Sequence, residues 1–173
     1  MKKIFWIGSI VLVVGAGLFL LQKNPATRAT NSDYKNGTYL VENTPVMFVN
    51  GRAEMETAPG SASKLVTQYF GNEASGDLNG DGVPDVAFLL TRSGGGSGTF
   101  YYVVAAIKTI NGYQGTNAVL LGDRVAPQST QIENEKIIVN YADRAAGEPM
   151  TARPSVGKSM FLVFDGESLS QIP

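Results

Sequence analysis

Gly76-Asp77-Leu78-Asn79-Gly80-Asp81-Gly82-Val83-Pro84-Asp85-Val86-Ala87-Phe88-Leu89-Leu90 is the stretch on which the fold of this chain turns. Its first part sets oxygen-bearing side chains at alternate positions, Asp77, Asn79 and Asp81, among glycines that allow a tight turn. Its last part, Val86 to Leu90, is an uninterrupted apolar run bounded by turn residues, which reads as a buried strand. A polar loop that opens into a strand makes the domain sheet-based.

Working outward, Thr38–Val41, Val46–Val49, Phe100–Ile107, Val119–Leu121, Lys136–Tyr141 and Met160–Phe164 are further apolar or alternating runs bounded by turn residues. Asn50-Gly51, Asn111-Gly112 and Asp165-Gly166 mark hairpins, because both residues of such pairs accept the backbone twist a two-residue turn needs. Strands joined by tight turns predict an antiparallel sheet. One helix is expected: Pro59-Gly60-Ser61 supplies a break and a cap, Leu65, Val66, Tyr69 and Phe70 fall on one helical face, and Gly71 ends it. The expected class is therefore α+β, an antiparallel β-sheet with one short helix packed on it, preceded by an N-terminal transmembrane helix. Ala142 to Lys158, with Pro149 and Pro154, reads as a long irregular loop.

The transmembrane expectation comes from the leader. Lys2 and Lys3 precede an uncharged apolar stretch from Ile4 to Leu21, long enough to span a bilayer as a helix. The positive-inside tendency places the rest of the chain outside the cytoplasm. The expected organisation is a signal anchor at 1–22, a linker at 23–34 and an extracytoplasmic globular domain at 35–173, single-pass in the cell membrane. The membrane is then a partner through that helix, alongside an envelope ligand or protein. The net charge is −1 and no Lys/Arg cluster appears, which argues against a nucleic-acid partner.

The chain has no cysteine and no histidine. The first absence excludes disulfides, thiol catalysis and thiolate metal sites. The second removes the Ser-His-Asp triad, the usual zinc sites and the ordinary general base near neutral pH. No catalytic residue is assigned, and the chain reads as no enzyme.

The loop from Asp77 to Asp85 carries the chemistry. A hard cation such as Ca²⁺ takes six to eight oxygens, which alternate positions of a turning loop can supply. Asp77, Asn79 and Asp81 take loop positions one, three and five, Gly82 makes the sharp turn, Val83 offers its carbonyl, and Asp85 ligates directly or through water. Position twelve holds Phe88 where an EF-hand has a bidentate glutamate, and a strand follows in place of the exiting helix. The loop resembles the Asp-x-Asp-x-Asp-Gly-x-x-Asp loops that precede strands in integrin-type propeller blades and other extracellular calcium modules, over about ten residues. One structural Ca²⁺ is expected, bound at about 10⁻⁴ to 10⁻³ M.

Weaker signals accompany it. Ser93-Gly94-Gly95-Gly96-Ser97-Gly98 offers backbone N–H groups to an anion but lies between strands, as a hairpin loop does. Ser61-Ala62-Ser63-Lys64 has the Ser-x-x-Lys spacing of penicillin-binding enzymes without their Lys-Thr-Gly partner, since Ile110 follows Lys108-Thr109. Asp123-Arg124 and Asp143-Arg144 are ligand-facing pairs or surface ion pairs. Asp143, Glu148 and Asp123 are the carboxylates on which an alternative rests, a hydrolase or transferase of envelope carbohydrate.

From Tyr69-Phe70-Gly71 through the Asp77 loop, Gly95 to Tyr102, Leu121 to Val125, Ile137 to Tyr141 and Glu148-Pro149-Met150, the chain resembles a family of bacterial envelope proteins, lipoprotein-like or membrane-anchored. The resemblance implies an envelope location and this fold, and no activity. Without a lipid-bearing cysteine, the anchor it implies here is the helix. The combined expectation is a membrane-tethered extracytoplasmic binding or structural module of the cell envelope carrying one calcium loop.

Overall fold

A computed structural model describes residues 33–173. After a short 3-10 turn at Tyr34–Asn36, the described chain is built from twelve strands: β1 (Thr38–Val41), β2 (Thr44–Met47), β3 (Arg52–Glu56), β4 (Lys64–Gly76), β5 (Asp85–Ser93), β6 (Phe100–Thr109), β7 (Gly112–Gly115), β8 (Val119–Asp123), β9 (Ala126–Glu133), β10 (Lys136–Asp143), β11 (Val156–Phe164) and β12 (Leu169–Ile172). They form three antiparallel sheets: the β1-β2 hairpin, a six-stranded sheet ordered β3-β4-β5-β6-β7 with β8 also on β6, and a four-stranded sheet ordered β12-β11-β10-β9.

The central strands explain their own composition. One set of β5 and β6 side chains, including Leu89, Val103 and Ala105, packs with Ile137, Val139 and Leu162 of the four-stranded sheet. The alternate set, Phe88, Leu90, Tyr102, Val104 and Ala106, packs with Tyr39, Val41 and Val46 of the hairpin and with Phe48. Both faces of the strands are covered, so the sequence between Val86 and Leu90 is a continuous apolar run rather than an alternation. The domain is thus layered hairpin, large sheet, small sheet.

The hairpin lies close against the end of β7. Leu40 donates its N–H to the Thr116 carbonyl at 3.1 Å and accepts from the Ala118 N–H at 2.7 Å. A Cβ on Gly115 would overlap the Thr38 carbonyl oxygen and crowd the Tyr39 ring, so only glycine permits this approach. On the other side of the domain, a Cβ on Gly76 would sit 2.6 Å from Ile132 Cγ2, where β4 meets β9.

The expected α+β class is corrected to all-β: no described helix exceeds the three residues of the 3-10 turn, and no helix packs on the sheet. The segment expected to be helical is β4, hydrogen-bonded to β3 on one side and β5 on the other. Val66, Thr67, Tyr69 and Phe70 are β-branched or aromatic and suit a strand. Within the adjacent pairs Leu65-Val66 and Tyr69-Phe70 that mimic a helical face, the two side chains lie on opposite sides of the strand, whose pairing shifts only beyond Tyr69, with Gly71 at φ 111° and Asn72 at φ 49°. Pro59-Gly60-Ser61 caps nothing; it makes the β3–β4 turn, with the Thr57 N–H bonded to the Ser63 carbonyl.

The anchor expectation is corrected as well. Among the described residues no helix is long and apolar enough to cross a membrane, so the signal anchor, the membrane tether and the single-pass membrane placement have no spanning helix behind them. The stretch 1–22 on which they rested lies outside the described residues.

Candidate functional site

The Asp77 loop joins β4 to β5 and is fastened at two points. Leu78, 1% exposed, enters the core shared with the four-stranded sheet. Asp85, fully buried, opens β5 opposite Gly76. Its Oδ2 accepts the Leu78 N–H at 2.9 Å and its Oδ1 accepts the Lys108 N–H at 2.7 Å, across the β6–β7 end of the sheet. Burial pushes the Asp85 carboxyl above its ordinary value against those two hydrogen bonds, and the nearby charges of Asp81 and Asp77 push it further the same way.

Between the fastenings the loop folds on its own side chains. Asp77 accepts N–H bonds from Gly82, Gly80 and Asn79 at 2.8, 2.8 and 3.2 Å. The Gly82 bond leads in holding its carboxyl below the usual aspartate range. Asn79 Oδ1 accepts from the Asp81 N–H at 3.1 Å, and Asp81 Oδ1 accepts from the Val83 N–H at 2.7 Å. Asn79 Nδ2 donates to Asp81 Oδ2 at 3.0 Å. These successive turns bring Asp77, Asn79 and Asp81 onto one exposed loop, with Gly80 at φ 75° and Gly82 at φ 80° making the bends.

Asp85 differs from that group in burial: its oxygens, like those of Asp77, accept backbone N–H bonds, but from Leu78 and from Lys108 of β6 inside the domain. Among the described residues no three acidic side chains are gathered in a metal-ligating group. The oxygens that suit a hard cation are those of Asp77, Asn79 and Asp81, with the Val83 carbonyl following them in the chain.

A second feature lies at the opposite end of β5. A cavity of about 360 Å³ opens between the β1–β2 turn, the glycine loop and the β8–β9 corner, with Glu42, Arg92, Ser97, Phe100, Asp123 and Arg124 in its wall. Arg92 is 6% exposed. Its Nη1 donates to Glu42 Oε2 at 3.0 Å, while its buried Nε has no hydrogen-bond partner. Glu42 Oε1 accepts from the Tyr102 hydroxyl, and burial together with that carboxylate pushes the Tyr102 phenol far above its ordinary value. Asp123 accepts the Thr99 N–H at 2.9 Å and pairs with Arg124 at 3.0 Å. Arg124 sits at φ 49°, and Arg144 holds that corner by donating to the carbonyls of Arg124, Asp123 and Ala152.

Of the weaker sequence signals, the glycine loop and Asp123-Arg124 therefore meet in one cavity, and Arg144 braces it from behind. Ser61 and Lys64 do not form a catalytic pair: Ser61 Oγ accepts from Ser63 N–H within the turn, and Lys64 pairs with Glu54 at 2.8 Å. Asp143 is bonded to Lys158 at 2.7 Å, which leads in holding its carboxyl below the usual range, and Glu148 accepts the Ala145 N–H. Burial raises Asp123, but Arg124 and the Thr99 N–H outweigh it and hold the carboxyl low. Neither aspartate has the raised pKa of a glycosidase acid.

Glu42, Arg92 and Tyr102 were not singled out in the sequence. The available signal was parity: Arg92 follows Phe88 and Leu90 at alternate positions and so points to the hairpin side of the large sheet, where a charge needs a partner. No family model matches this chain, and neither a curated protein nor a solved structure matches it.

Proposed function

We propose that this domain is a binding or structural module, not an enzyme, and that the loop from Asp77 to Asp85 is its calcium staple. One observation carries the reading: Asp77, Asn79 and Asp81 are turned onto a single exposed loop that Leu78 and Asp85 lock into the domain. A bound Ca²⁺ supplies charge neutralisation there. Asp77, Asn79 and Asp81 hold it with their side chains and Val83 with its carbonyl. Asp85 fastens the loop to β5 and the end of β6, and its carboxylate lies close enough to feel the charges of Asp81 and Asp77. Stiffening the β4–β5 connection stiffens the strand that lines both cores.

Thermal unfolding in EGTA and in millimolar Ca²⁺, for the native chain and for Asp81→Ala, tests it. At 10 mM Ca²⁺, a dissociation constant of about 10⁻⁴ to 10⁻³ M makes binding add about 1.4 to 2.7 kcal/mol. The melting temperature of the native chain is expected to rise by several degrees and that of the variant to stay fixed. Equal curves in both buffers for the native chain remove the staple.

A further inference from the structure

We propose that the cavity at Arg92 is a binding site for a small zwitterion, an amino acid or dipeptide, whose carboxylate lies against the Arg92 guanidinium and whose ammonium lies against Glu42. It stands apart from the calcium reading and shares no residue with that loop.

The volume, about 360 Å³, lies at the small end of the range for sites that enclose a ligand. Arg92 supplies the anchor. A guanidinium has five N–H donors in a fixed fork, and here Nη1 meets Glu42 while Nε is buried without an acceptor. The Nε atom is closed off from solvent, so a ligand meets the outer Nη edge of the fork, and a carboxylate is the acceptor that fits such an edge in a bidentate way. The strand fixes the guanidinium in place, because Arg92 pairs with Phe100 across the β5–β6 ladder and its side chain is 8% exposed.

Charge selects the class of ligand. The wall carries Arg92 and Arg124 against Glu42 and Asp123, two of each sign. Such a wall does not concentrate a dianion such as sulfate or phosphate; it matches a molecule with both signs and no net charge. The Glu42 side chain is 61% exposed and retains acceptor capacity beyond Arg92 and Tyr102. Phe100, 41% exposed, and Leu65 give the apolar part of the wall for a side chain of the ligand. The glycine loop closes the rim: a Cβ on Gly94 would lie 2.8 Å from Leu65 Cδ1, and one on Gly98 3.0 Å from the Phe100 ring.

Isothermal titration of the full chain with L-alanyl-L-phenylalanine tests the site, beside its C-terminally amidated form, its N-acetylated form and sodium sulfate. The free dipeptide is expected to bind, amidation to weaken it at least tenfold, acetylation to weaken it several-fold, and sulfate neither to bind nor to compete. Arg92→Lys, which keeps the charge and removes the fork, is expected to lose about tenfold, and Glu42→Gln to erase the difference between free and acetylated dipeptide. Ser97→Trp, on the exposed rim, is expected to abolish binding without lowering the melting temperature, which covers the case that Arg92→Lys fails to fold. Asp81→Ala should bind as the native chain does. No heat from the dipeptide at 10 mM, equal binding of the amidated form, or displacement by sulfate each overturns the proposal.

Discussion

Replacing Asp85 tests how the loop is fastened. The carboxylate is fully buried and satisfies two backbone donors, Leu78 N–H at 2.9 Å and Lys108 N–H at 2.7 Å. Asp85→Asn retains one carbonyl oxygen and turns an amide NH₂ toward the other donor, leaving one backbone N–H without an acceptor at a cost of about 1–3 kcal/mol. Removing the charge also removes its desolvation cost, which keeps the net loss near 2 kcal/mol. Asp85→Ala strands both donors and is expected to cost about 3–4 kcal/mol. Urea denaturation with an unchanged m-value measures these differences directly. For a domain of this size they correspond to melting-temperature losses of about 6 and 10 °C. The pH dependence adds a signature. The folded pKa of Asp85 is raised, so the folded state holds its proton more firmly than the unfolded chain does. Its contribution is full below the unfolded value of about 3.9 and falls as pH rises through the folded value. The gap between native and Asn forms therefore narrows with rising pH over that window. A loss under about 0.5 kcal/mol, within the range of ordinary surface substitutions, or a gap that widens with pH, refutes the fastening.

Two further outcomes are expected. Gly115→Ala drives a methyl group into the Thr38 carbonyl and the Tyr39 ring, so the hairpin must shift; a loss of about 2–3 kcal/mol, read by urea denaturation, is expected, with hydrogen exchange rising first at Leu40 and Ala118. Asp143 is depressed by its bond to Lys158, and its contribution is present above the unfolded value and lost as pH falls through the folded one. Lys158→Met is expected to flatten the acid limb of the stability curve below about pH 4 and to leave a small effect at pH 7, because the pair is partly exposed; an unchanged acid limb contradicts the pairing.

The sequence made some parts of this molecule legible and hid others for identifiable reasons. The apolar run from Val86 to Leu90 and the two-residue turn at Asn50-Gly51 are where local chemistry places them. The β6–β7 turn is Ile110-Asn111, one residue earlier than the Asn111-Gly112 pair, and the β11–β12 connection runs over four residues from Asp165. β4 was illegible as a strand because Leu65, Val66, Tyr69 and Phe70 put apolar side chains on both of its faces, a spacing that a helical face also fits. β9 and β12 are edge strands rich in Ser, Thr and Gln, and their half-exposed faces leave little apolar pattern to read. The Asp77 loop was visible as a turn of alternating oxygens. That Asp85 would accept the Lys108 N–H was not, since the two residues are 23 apart in the chain. The Arg92–Glu42 contact spans 50 residues and depends on the hairpin folding back over β5, which nothing local announces.

The double coverage of β5 and β6 also decides how the chain avoids misalignment. Where one face is wet, a slip by one residue exposes every apolar side chain, and that penalty alone enforces the pairing. Here both faces are dry, and a slipped β6 still sets Val, Ala or Ile against an apolar neighbour on either side. The address is written instead in a few polar letters: Asp85 meets the Lys108 N–H, Thr116 meets the Ala105 N–H, and Tyr102 meets Glu42. The apolar majority supplies the driving force for collapse but does not distinguish one alignment from the next. These few residues, modest in net energy, select which of several equally greasy stackings becomes the native one.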